Sequence, residues 1–322
     1  MNDIHSILIP IDGSSLSLQS LAYAQALASG SSEITLLQVV SDHSGYIPLE
    51  IEMAHSWEID AEARLVDEAR TDLQRIAKQL VESSSVAKMP STRVEIGDPA
   101  TWILDIAEEG RFSLIVITTH AYGAVRRTLF GSVADRLVRH SSVPVLVVRP
   151  QDEIELGIPG PIQRIVVPLD GSPRAENALP FAKLLARHLG VPILLVRAIH
   201  LDFIVPRIEG TFVIPEESIE DIERFARDYL SALCTHIIQE GIGCSIVIEW
   251  GTPLEVIESK LREDDLLAMT THGRGGISRW LLGSVAEKLV RTAITPVLLI
   301  PAREPLERGA ESDESDGFGP TI

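Results

Sequence analysis

Two fifteen-residue segments, TTHAYGAVRRTLFGS (Thr118–Ser132) and TTHGRGGISRWLLGS (Thr270–Ser284), hold the residues of this chain best suited to chemistry. Each ends in Gly-Ser before a helical pattern, and the second also has glycines near its start. Glycines at a strand end let backbone N–H groups approach an anion. A helix N-terminus adds unpaired donors and roughly half a positive charge of dipole. This is equipment for binding phosphate without lysine. Neither GxxxxGK[ST] nor GxGxxG occurs, so a Walker-type loop and a dinucleotide fingerprint are both excluded. Asp12 and Asp170 follow the first strand-like run of each half, in ILIPIDGSS and IVVPLDGSP. A carboxylate there can accept hydrogen bonds from a ribose or base, help to hold magnesium, or simply form a turn before a helix. His120 and His272 lie beside the same loops, but no Ser, Cys or Asp constellation accompanies them. They read as packing or backbone-orienting residues rather than general bases.

The elements that must carry these residues are themselves repeated. ILIPIDGSS answers IVVPLDGSP, VEIGDP answers VIEWGTP, and SVPVLVVRP answers TPVLLIPA, in the same order, which identifies a duplicated domain. In each half short Val, Ile and Leu runs alternate with helical patterns, and strands so uniformly apolar are covered on both faces, as in a parallel α/β sheet. With strand order 3-2-1-4-5, the aspartate and the Thr-Thr-His segment would meet in the crevice at the carboxyl ends of the strands. Ser172-Pro173, Asp98-Pro99 and Thr252-Pro253 place an N-cap before proline at the first helical position. Ser132-x-x-Asp135 and Ser284-x-x-Glu287 suggest capping boxes. The pair Asp264-Asp265 precedes a strand at the end opposite the crevice and reads as a solvated loop.

Residues 1–150 and 162–302 are the expected domains, joined by a Pro- and Gly-rich linker over 151–161. The acidic tail 303–322 has too little apolar surface to offset its ordering entropy and is expected to stay disordered. A net charge of −18 argues against a grip on nucleic acid. No apolar run approaches the length of a membrane span, and the N-terminus has no leader pattern, so a soluble cytoplasmic protein is expected. Cys234 and Cys244 lack CxxC spacing and read as reduced thiols.

On these residues each half resembles a universal stress protein domain, whose nucleotide-binding type carries Gly-x2-Gly-x9-Gly-Ser/Thr after the fourth strand and an aspartate after the first. Gly273, nine intervening residues, and Gly283-Ser284 fit the motif, with Thr270 at the first glycine. In the first half Thr118 and Ala121 replace the first two glycines and Gly131-Ser132 remain. The resemblance implies a flavodoxin-like, Rossmann-like fold of five parallel strands per half and binding of ATP (or AMP or ADP) with Mg2+, in stress tolerance rather than strong catalysis. It places the nucleotide contacts of the second half at Asp170, Ala198, Thr270, Gly273, Arg274, Gly283, Ser284 and Val285. Those of the first half fall at Asp12, Val39, Thr118, Gly131, Ser132 and Val133. Arg274 could reach a phosphate or lie in a solvated loop with Arg126, Arg127 and Arg279. The fifth strand of the family commonly pairs two domains, which implies an intrachain pseudo-dimer and leaves open a homodimer of whole chains. Three readings stand at this stage: an ATP-binding protein acting through conformation or protein partners, an interaction module whose sites have decayed, and a weak ATPase.

Overall fold

A computed structural model describes residues 3–41, 54–83, 88–119, 131–149, 161–200, 216–271 and 282–302. The first half contains β1 (Ser6–Pro10), α1 (Gln19–Leu27), β2 (Glu33–Val40), α2 (Ala54–Ser83), β3 (Ser91–Ile96), α3 (Pro99–Glu109), β4 (Leu114–Thr118), α4 (Ser132–His140) and β5 (Val145–Val148). The second contains β6 (Arg164–Pro168), α5 (Pro173–Glu176), α6 (Leu179–Leu189), β7 (Ile193–Ile199), α7 (Glu216–Gln239), β8 (Cys244–Trp250), α8 (Pro253–Lys260), β9 (Asp265–Thr270), α9 (Ser284–Thr292) and β10 (Val297–Ile300).

These strands form one sheet in the order β3-β2-β1-β4-β5-β10-β9-β6-β7-β8. Pairing is parallel within each half, and the halves join through antiparallel β5 and β10, with Val145, Leu146 and Val147 opposite Leu299, Leu298 and Val297. All six of these residues are buried. The core is consequently divided by sheet face rather than by half. One layer gathers Leu21, Leu73, Phe181 and Leu230 from α1, α2, α6 and α7; the other gathers Ile103, Leu137, Val256 and Leu289 from α3, α4, α8 and α9. Alternate strand residues feed opposite layers, Ile7 and Ile9 to the first and Leu8 to the second. On the second face Arg139 of α4 reaches Glu287 of α9 at 3.5 Å, an ion pair between the halves.

The three X-Pro caps form as the sequence predicts. Asp98, Ser172 and Thr252 accept from the N–H groups of Thr101, Ala175 and Glu255, each with proline in the first turn. The two capping boxes do not form. Gly131 and Gly283 are the N-caps, Ser132 and Ser284 are already helical, and neither end has a side-chain cap. The helix start is set from outside: Gly131 N–H donates to Thr119 O at 2.9 Å, and a Cβ on Gly131 would come within 2.8 Å of that oxygen. Gly283 N–H donates to Thr271 O in the same way.

Asp265 is a second correction. It is buried at the start of β9, where its two oxygens accept from Arg164 Nε at 2.9 Å and Nη2 at 2.6 Å. Only Asp264 is exposed. Both cysteines are thiols; Cys234 is buried, and burial together with the adjacent Cys234 raises the pKa of Cys244. Of the described helices, none is long and apolar enough to cross a membrane.

Candidate functional site

In each half the strand order reverses beside the central strand: β1 lies between β2 and β4, and β6 lies between β7 and β9. Parallel neighbours bring their carboxyl ends to one edge, so Asp12, Val39 and Thr118 gather at one crevice and Asp170, Ala198 and Thr270 at the other. Ile11 N–H bonds to Leu37 O and Leu169 N–H to Val196 O, which carries each central strand one residue further before the aspartate.

The aspartates close matching turns. Asp170 Oδ1 accepts from Ser172 N–H at 2.8 Å and Ser172 Oγ at 2.6 Å. Asp12 Oδ1 accepts from Ser14 N–H at 2.9 Å and Ser14 Oγ at 2.6 Å. The intervening Gly13 and Gly171 both have φ +80°, a conformation that favours glycine. In both turns it is Oδ1 that accepts these bonds. Asp12 is exposed, whereas Asp170 is half-buried.

Across the crevice, Thr118, Thr119, Thr270 and Thr271 are buried at the ends of β4 and β9. Thr119 and Thr271 hold the strand ends through bonds to Val148 O and Ile300 O. The helices that follow open at Gly131 and Gly283 with no side-chain cap, so Ser132 and Val133, and Ser284 and Val285, begin first turns whose N–H groups no N-cap side chain serves. Such an end suits an anionic acceptor. Val39 and Ala198 are half-buried next to Gln38 and Arg197 and pack toward the layer of α3, α4, α8 and α9. Gly273, Arg274, Ala121, Arg126, Arg127, Arg279, His120 and His272 lie outside the described residues. So do the tail 303–322 and all of the linker except Pro161.

The sequence reading passed over three residues beside Asp170. Arg197 of β7 lies over the ring of Tyr229 with its guanidinium carbon 5.9 Å from the centroid, and Tyr229 Oη donates to Glu176 Oε1 at 2.8 Å. Burial, then the Glu176 carboxylate, hold the Tyr229 hydroxyl well above the usual phenol range. The available signal was the charged residue within ILLVRAI, in a strand whose other sites are mostly buried. Among the described residues no group of three or more His, Cys, Asp or Glu side chains is gathered to hold a metal ion.

The universal stress protein family model matches residues 3–149 and 161–301. A universal stress protein of Mycobacterium tuberculosis is 26% identical over 308 residues, covering 92% of this chain and 96% of that protein. One from Methanocaldococcus jannaschii is 35% identical over 144 residues, covering 44% of this chain and 81% of its own length. The crystal structure of a universal stress protein from Archaeoglobus fulgidus superposes with a TM-score of 0.64 at 21% identity, covering 92% of this chain and 98% of that one. At that identity the likeness speaks for the fold.

Proposed function

Because the chain belongs to the universal stress protein family, we propose that it is a stress-response protein that binds an adenine nucleotide, ATP or its AMP and ADP forms, chiefly in its second half. The supporting observation is the meeting, at the switch point of the sheet, of the Asp170 turn with an α9 N-terminus that has no side-chain cap. Asp170 would receive ribose or adenine, and the backbone at Ala198 the base. Thr270, Gly273, Arg274, Gly283, Ser284 and Val285 would hold the phosphates, with Mg2+ arriving on them. Asp12, Val39, Thr118, Gly131, Ser132 and Val133 form the weaker copy. The protein acts in the cytoplasm through nucleotide-dependent conformation or through its partners, as a pseudo-dimer within one chain, and not as a strong catalyst.

A second reading, an interaction module with decayed sites, is favoured by the threonines at the first glycine position of both loops, Thr118 and Thr270. Denaturing purified protein and measuring the nucleotide released separates the two. About one ATP or AMP per chain is expected, and nucleotide at 100 times its Kd should add about 2.7 kcal/mol to the folded state. Absence of nucleotide, with a melting temperature indifferent to saturating ATP and magnesium, would leave the decayed module.

A further inference from the structure

Alternation in β7 sends Ala198 toward the layer of α8 and α9, and Arg197 toward the layer of α6 and α7. There Arg197 meets two things at once. Its guanidinium lies over the Tyr229 ring, and its Nη1 reaches Leu169 O at 3.5 Å, immediately before Asp170. A Cβ built on Gly171 would stand 2.6 Å from the same Nη1. The guanidinium thus fills the space beneath the turn that carries Asp170, and Tyr229, tied to Glu176, backs it from the other side. In the first half Gln38 occupies the matching place in β2. A Cβ on Gly13 would clear its amide by 3.8 Å, and the fourth residue after the turn serine is Leu18 where the second half has Glu176.

We infer that Arg197 is a positioning residue of the second-half site: wedged between Tyr229 and the Gly171 backbone, it fixes the β6–α5 turn and holds Asp170 ready for ligand, which Gln38 does not do for Asp12. The role rests on the proposed nucleotide site, and it makes the halves unequal independently of Ala121 and Gly273. A planar guanidinium suits it because it stacks on a ring and presents N–H groups from a rigid fork, where an ammonium is a flexible point charge. Preorganising a group that meets the ligand lowers the ordering cost of binding.

The test begins on the full chain without nucleotide, by amide hydrogen exchange. Arg197→Gln should speed exchange at the Gly171 and Ser172 amides about tenfold, as a locally loosened turn would, while β9 and the Ser14 turn stay as protected as in wild type. Tyr229→Leu removes the ring that backs the guanidinium and should lose the same wedge. The double variant should then exchange little faster than the faster single variant. Tyr229→Phe keeps the ring and drops the Glu176 bond, and should give a smaller acceleration of the same amides if Arg197→Gln fails to fold. In ATP titrations Arg197→Gln should weaken only the tighter site, about five- to tenfold, or about 1 to 1.4 kcal/mol. A general structural defect would weaken both sites. Unchanged exchange at Gly171 and Ser172, or accelerations that simply multiply in the double variant, would overturn the inference. Wild type that binds no ATP would instead overturn the nucleotide reading, and the exchange result would still decide whether Arg197 holds the turn.

Discussion

At the amino ends of the central strands the two halves meet the same structural demand with different chemistry. In the second half Arg164 and Asp265 are direct cross-strand partners, joined by two N–H to oxygen bonds, and Asp265 also accepts from Arg262 N–H at 2.8 Å. In the first half Ser113 takes the place of Asp265: its N–H donates to Ser6 O at 2.9 Å and its Oγ accepts from His5 N–H at 3.2 Å. At the carboxyl ends the backbone is nearly the same in both halves, down to a glycine φ of +80° in each aspartate turn. Duplication has kept the main chain that forms a crevice and released the side chains that brace it. In the second half the side-chain ties are Asp265 at the amino ends of the strands and, on the inference above, Arg197 at the carboxyl ends.

The largest effect should come from breaking the Asp265 tie. Asp265→Asn leaves Arg164, a mostly buried cation, short of its carboxylate and should cost about 3 kcal/mol in urea unfolding. Ser113→Ala removes one neutral hydrogen bond and should cost about 1 kcal/mol. Equal costs would mean that the halves are braced alike after all.

The loops come next. If the position of Gly273 needs close backbone approach to phosphate or φ > 0, a Cβ there costs roughly 1 to 2 kcal/mol, about a 5- to 30-fold loss of affinity. Calorimetric titration of ATP should show Gly273→Ala weakening the tight site and Ala121→Gly strengthening or revealing the other. Folded Gly273→Ala protein with unchanged tight-site affinity would show that the glycine count does not distinguish the halves.

What could be read in advance was whatever is written locally. Val, Ile and Leu runs announce strands covered on both faces, and Asp98-Pro99, Ser172-Pro173 and Thr252-Pro253 announce caps whose partners lie three residues on. Readings failed where the deciding contact is distant. Asp265 looked solvated because its partner Arg164 is 101 positions away. Ser132 and Ser284 looked like caps because the pattern Ser-x-x-acid is local, yet Thr119 O and Thr271 O hold the preceding glycines and set the helix start one residue earlier. The candidate site divides the same way. Its aspartates and glycines are visible as a repeated motif. Arg197, Tyr229 and Glu176 come from three separate elements and form a unit only after β7 and α7 have packed beside the turn.

The smallest expected difference lies at the caps of α3 and α8, equivalent helices that begin at Pro99 and Pro253. Asp98 Oδ2 accepts from Thr101 N–H at 2.9 Å, Thr101 Oγ1 at 2.7 Å and Arg136 Nη1 at 2.6 Å, whereas Thr252 offers α8 only a neutral hydroxyl. The Thr101 hydroxyl first, then its N–H, with Arg136 adding its bond and charge, hold the Asp98 carboxyl below its usual value of 3.8. A depressed pKa in the folded state means that the stabilisation is complete above the unfolded value and is lost as pH falls through the folded one. Asn is also a good N-cap, so Asp98→Asn isolates the charge from the capping bond. Because the pair with Arg136 is half exposed and screened, wild type should exceed Asp98→Asn by only about 0.5 kcal/mol at pH 7. That margin should close as pH falls below the unfolded value of 3.8 and through the lowered folded one. Thr252→Ser, which exchanges one neutral cap for another, should differ from wild type by an amount that does not change over the same range. Paired unfolding curves at pH 7, 4 and 2 measure both differences, and a constant Asp98→Asn margin would show that the charge on this cap contributes nothing to the contrast between the halves.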